Sequence, residues 1–69
     1  MSIAKAHLEK AVERLRVAEK LFRDGEYEDA ISRAYYAMYH AARAALSTVN
    51  IFPKTHEGVI TDFGRKFVL

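Results

Sequence analysis

Ala30-Ile31-Ser32-Arg33-Ala34-Tyr35-Tyr36-Ala37-Met38-Tyr39-His40 is the stretch on which the reading of this chain turns. Its alanines favour helix, and at about 100° per residue it divides into two faces. One face, continued in both directions, is apolar: Tyr27, Ile31, Ala34, Met38, Ala41, Ala45. The other holds Arg33, Tyr36, His40 and Arg43, flanked by Tyr39. A helix without a bland, salt-bridged side belongs in the middle of something, either a larger domain or an oligomer.

The segments on either side extend this helix into a hairpin. Upstream, Ala4, Leu8, Ala11, Leu15, Ala18 and Phe22 step by four and three, which predicts an amphipathic helix from about Ile3 to Asp24 with these residues as its seam. Its other positions carry charge, with Glu13–Arg16 and Glu19–Arg23 at helical pair spacing and His7 on the solvated side. Gly25 suits the left-handed residue that stops a helix. Glu26, Glu28 and Asp29 then place acid at the positive end of a second helix running to about Val49. Two helices joined by so short a turn form an antiparallel αα-hairpin.

Pro53 breaks the pattern, and Thr55 follows as a candidate N-cap. A short third helix is predicted there, with Val59, Ile60, Phe63 and Phe67 on one face, weakened by Gly58 and Gly64. The chain closes on Phe67-Val68-Leu69, an apolar ending that points to an element cut short or covered by a neighbour.

Size and composition restrict what such a fold can be. The 69 residues make one domain at most, 1–69, and a domain this small is marginally stable alone. Without cysteine it has neither disulfides nor thiolate ligands. His7, His40 and His56 lack metal-ligand spacing, so no metal and no cofactor are expected. Oligomerisation is the remaining source of stability, and the 51% apolar content suits it. A homo-oligomer is expected, with Tyr36, Tyr39 and Phe67 in the interface. The net charge of +2 weakly favours an anionic partner. No run approaches the roughly 20 apolar residues of a membrane span, and the N-terminus lacks a signal-peptide core. The expectation is a cytoplasmic protein with no membrane contact.

The polar face of the second helix carries whatever chemistry the chain has. Arg33 and His40 are seven residues apart and point the same way. Arg33, Tyr36, His40 and Arg43 together could hold RNA or another ligand, arginine on phosphate and tyrosine against bases. Arg33 and His40 are also the catalytic candidates for a metal-independent ribonuclease, histidine moving the proton and arginine steadying the phosphate. The reading preferred for these residues is an interface with a symmetry mate, where tyrosine and arginine are enriched. No phosphate loop, paired carboxylates or nucleophile elbow is present.

Gly25-Glu26-Tyr27-Glu28-Asp29-Ala30-Ile31-Ser32-Arg33-Ala34-Tyr35-Tyr36-Ala37-Met38-Tyr39-His40-Ala41-Ala42 resembles the second helix of HEPN-domain proteins. Thr55-His56-Glu57-Gly58-Val59, followed by Phe63 and Phe67-Val68, resembles the start of that family's third helix. The likeness is to small, stand-alone prokaryotic members and covers about residues 4 to 69. It implies an all-α bundle of four or five helices, often dimeric. It also implies pairing with a minimal nucleotidyltransferase in two-gene, toxin–antitoxin-like modules, and metal-independent RNase activity in many members. Their signature is an arginine, about four to six residues, then a histidine, near the start of a late helix.

This chain departs from that pattern. It stops in or just after the third helix, where members continue for one or two more, and the late motif is not found in it. Arg33 and His40 have the formal spacing on the wrong helix. The expectation is therefore a HEPN component inactive as an RNase in this short form. The alternative is a non-catalytic helical module that binds a partner or a nucleotide through oligomerisation.

Overall fold

The computed structural model describes residues 2–68. Two long antiparallel helices, α1 (Ile3–Arg23) and α2 (Tyr27–Ser47), pack along their length. A short α3 (His56–Phe63) lies against α2 and runs on into a π-helical turn, Gly64–Val68. There is no strand among the described residues. The fold is the all-α hairpin plus short third helix that the periodicity predicts. Leu69, the last residue of the apolar ending, lies outside the described residues.

Local chemistry sets the helix ends. Ser2 caps α1, its hydroxyl accepting from the Lys5 backbone N–H at 3.0 Å. At the other end the Glu26 N–H donates to the Leu21 carbonyl and the Gly25 N–H to the Phe22 carbonyl. This pair of bonds is a Schellman closure, and it requires the positive φ of 81° at Gly25. The end of α2 repeats it: Ile51 donates to Leu46 and Asn50 to Ser47, with Asn50 at φ 62°. Thr55 caps α3 by accepting from the Gly58 N–H at 2.9 Å. A Cβ at Gly58 would lie 3.0 Å from Thr55 Oγ1 and 3.3 Å from Pro53 Cβ. Glycine there allows the cap to close on the proline, so it does more than weaken the helix.

The seam between α1 and α2 keeps the predicted Ala11 and Ala18 on α1 and is turned by one position on α2, from the Ile31, Met38 and Ala45 stripe to Ala30, Ala37 and Ala44. These buried residues are all alanines. They repeat every seven residues, and small side chains let the two backbones approach closely. The half-buried positions of α1 are Ala4, Ala6, His7, Arg14, Val17 and Leu21. The predicted Leu8, Leu15 and Phe22 stay exposed, as do Tyr27, Ile31 and Met38 of the α2 stripe. Large apolar side chains at these positions would force the backbones apart, so the pair turns its alanines inward. The expected Glu13–Arg16 and Glu19–Arg23 pairs do not close either. Lys20–Asp24, at 3.5 Å and exposed, is the one salt bridge among the described residues.

Leu46 and Val59 are the two large side chains fully removed from water, and they lock α3 onto α2. Of the predicted α3 face, Val59 is buried and Phe63 half-buried, whereas Ile60 and Phe67 are exposed.

The energetic weight therefore moves from the hairpin seam to the α2–α3 junction. Leu46→Ala is expected to cost about 2–5 kcal/mol, the range for deleting a fully buried leucine. Leu15 is 49% exposed, so Leu15→Ala is expected to cost clearly less. Gly25→Ala meets no atom within 4 Å and bears only the strain of its positive φ, about 1 kcal/mol. Denaturant melts of the three variants check this order; a Leu15→Ala loss equal to that of Leu46→Ala would restore the predicted seam.

Candidate nucleic-acid interface

The seam rotation decides where the polar side chains go. On α2, Arg33, Tyr36, His40 and Arg43 recur at three and four residues and form one row along the helix. On α1, His7, Lys10 and Arg14 do the same. The antiparallel register joins the two rows: the His7 and His40 rings stack with centroids 6.1 Å apart and planes 21° from parallel. By the same register Arg14 is level with Arg33.

His40 is thus a seam residue, and His7 is not on the solvated side. In each ring Nδ1 is buried with no hydrogen-bond partner among the described residues. Both imidazoles are held below the ordinary histidine value of 6.5. Burial is the main cause for each. Arg43 and Lys10 add to it at His7, and His7, Lys10, Arg14 and Arg43 add to it at His40. The pair is neutral at pH 7 and surrounded by positive charge. No carboxylate lies within salt-bridge distance of Lys10, Arg14, Arg33 or Arg43 among the described residues.

Aromatic rings border this charge on the α3 side. His56 packs on Tyr39 at 4.1 Å and on Tyr36 at 5.8 Å between ring centroids. Tyr39 in turn meets His40 edge-on at 5.4 Å and carries the Arg43 guanidinium at 5.7 Å from its centroid. His56, exposed at the first position of α3, is also the contact that ties this helix to the tyrosines. Phe67 lies apart from all of this, against Phe63 at 5.1 Å in the last turn.

The structure brings Tyr36, Tyr39, His40 and Arg43 together. It leaves Arg33 exposed, two helical turns or about 10 Å along the axis from His40. Sequence reasoning missed His7, Lys10 and Arg14. The signal was their own three-and-four spacing, concealed because charged positions on α1 were read as its solvated side. No three His, Cys, Asp or Glu side chains gather as a metal cluster among the described residues, and no described helix is long and apolar enough to cross a membrane.

An all-α hairpin with this tyrosine- and arginine-bearing second helix defines a family. The chain belongs to the HEPN domain family, which matches it over residues 4–67. It is similar to a Methanocaldococcus jannaschii protein named "Putative toxin MJ0605", 51% identical over 63 residues, covering 91% of this chain and 47% of that protein. A Pyrococcus horikoshii protein named UPF0332 protein PH1297 is 47% identical over 62 residues, 90% of this chain and 44% of the other. A second M. jannaschii protein, "Putative toxin MJ0142", is 39% identical over 61 residues, 88% of this chain and 42% of its own length. The chain thus spans about half the length of the curated relatives it matches. No solved structure gives a significant match.

The half-buried imidazole pair makes stability depend on pH. A histidine whose folded value is depressed is easier to protonate unfolded. Stability is therefore complete above the unfolded value near 6.5 and is lost as pH falls from there toward the folded values. Thermal melts between about pH 7.5 and 5.5 should show a falling midpoint, and His7→Asn should flatten the dependence. A midpoint unchanged across that range would place both rings in solvent.

Proposed function

We propose that this chain is the HEPN component of a nucleotidyltransferase-linked, toxin–antitoxin-like module, and that its own part is to bind RNA rather than to cut it. Family membership and the toxin names of two relatives support the module. The observation that carries the RNA reading is the row of unpaired cations beside stacked rings on one face of the hairpin. Arginine and lysine without carboxylate partners attract phosphate, and exposed tyrosine faces accept bases. Tyr36 is 39% exposed and available for this.

Cleavage is disfavoured by the position of His40. A general base must reach the 2′-hydroxyl while a cation holds the same phosphate. His40 is stacked into the helix seam, and Arg33 lies two turns away. The pair shares a face without sharing a phosphate. Partnering by a second copy accompanies this reading: Leu8, Leu15, Phe22, Ile31 and Met38 leave large apolar surface in water on a single chain. That apolar surface is the contact we propose, in place of the expected Tyr36, Tyr39 and Phe67, which pack within the chain on His56 and Phe63. Cytoplasmic residence follows from an RNA ligand.

Incubation with labelled RNA in chelator tests the reading, with Arg33→Ala and His40→Ala alongside. Retarded but uncut RNA is the expected result, with binding weakened by about 1 kcal/mol or more in Arg33→Ala. Robust cleavage abolished in both variants, at unchanged oligomeric state by light scattering, would make the pair an active site instead. A folded monomer at micromolar concentration would remove the partnering claim.

A further inference from the structure

We infer that His7, Lys10 and Arg14 of α1 complete, with His40 and Arg43 of α2, a seat for a phosphate group that straddles the α1–α2 seam. The ligand is a phosphodiester of single-stranded RNA; the seat rests on the RNA reading for that identity and on its own geometry for everything else. The α2 row alone offers a phosphate only one side. The observed seam supplies the other, because it carries His7 to within 6.1 Å of His40. The basic side chains of the two helices then line one stretch of the seam, with His7 and His40 face to face, Arg43 beside them, and Lys10 and Arg14 extending the charge toward the Arg33 end.

Two features distinguish this spot from an ordinary basic surface. First, the charge is uncompensated: no carboxylate forms a salt bridge to these residues among the described residues. Like charges gathered without counter-charge oppose folding, and a bound anion relieves them. Second, both imidazoles keep Nδ1 buried and unpartnered, which leaves the Nε2 edge to meet a ligand. Neutral in the free chain, the rings gain a reason to protonate once an anion sits between them. Each would then donate an N⁺–H to a phosphate oxygen. Tyr39, with Arg43 over its ring, borders the seat and offers a face to the adjoining base.

Binding therefore takes up protons. Affinity should rise as pH falls from about 7.5 to 6, by up to about tenfold per pH unit for each proton bound. It should also weaken with salt, since lysine and arginine displace counterions from the strand.

The test titrates the imidazole resonances of the full chain by NMR, alone, with a short single-stranded oligoribonucleotide, and with inorganic tripolyphosphate. Lys10→Gln and Arg14→Gln are compared with Arg16→Gln, which removes the same charge from the opposite side of α1. The expected result is an upward shift of both the His7 and His40 titrations with RNA. RNA affinity should fall on the order of fivefold to tenfold in Lys10→Gln and Arg14→Gln and little in Arg16→Gln. If RNA binds, the imidazoles do not shift and the three variants weaken binding alike, the seat is overturned and the broader RNA reading stands. If tripolyphosphate shifts both rings while RNA does not bind, the seat stands and the RNA reading fails. Imidazoles silent to both anions overturn the seat outright, and this holds even if a variant fails to fold.

Discussion

The close approach of two alanine-lined helices is the constraint on which the rest of the structure depends. Ala11 and Ala18 of α1 and Ala30, Ala37 and Ala44 of α2 recur once every two turns and leave no room for anything larger between the backbones. Alanine buries little surface, so the hydrophobic gain per residue is small. What the alanines supply is geometry. Once they face one another, every other side chain has its direction assigned. His7 and His40 fall into the seam, and the leucines, Phe22 and Met38 are left facing outward. The largest fully buried side chains among the described residues, Leu46 and Val59, lie instead where α3 closes on α2.

The same geometry sets the electrostatics. With the alanines of α1 pointing inward, His7 and Arg14 face the α2 row that carries Arg33, His40 and Arg43. Basic residues that a solvent-facing position would disperse are concentrated along one line, and two imidazoles lose water without gaining hydrogen-bond partners. Both rings answer by staying neutral, the form that burial penalises least. Tyr39 occupies the junction of this charged line with the aromatic cluster, touching His40, Arg43 and His56.

How much of this was legible depended on the range of the interaction. The hairpin, the stop at Gly25 and the cap at Thr55 were readable because each is decided within a few residues by backbone chemistry. The seam was misread because hydrophobic periodicity gives most weight to large side chains. Leu8, Leu15 and Phe22 dominate the α1 pattern, yet the alanines of that same stripe, Ala11 and Ala18, are what is buried, and on α2 the alanines one position from the predicted stripe decide the packing. The candidate site inherited the same error. Its α2 half was visible as one helical row, while its α1 half needed the facing of one helix onto another, which no local signal in α1 specifies. His56 was likewise unreadable as a packing residue, since its partners Tyr36 and Tyr39 lie on another element.

The narrow attachment of α3 divides the molecule into two cooperative units of unequal strength. The hairpin is held along its whole length, with both ends closed by paired backbone hydrogen bonds. The third helix is held through Leu46, Val59 and the His56 ring against the tyrosines, behind a connector bent by Pro53. Sub-global opening follows such boundaries, detaching the lesser unit while the greater persists. In the opened form the hairpin remains intact and the faces of Tyr36 and Tyr39 are bared beside the unpaired arginines. The extent of the aromatic surface beside the cationic line is thus tied to how firmly α3 is seated.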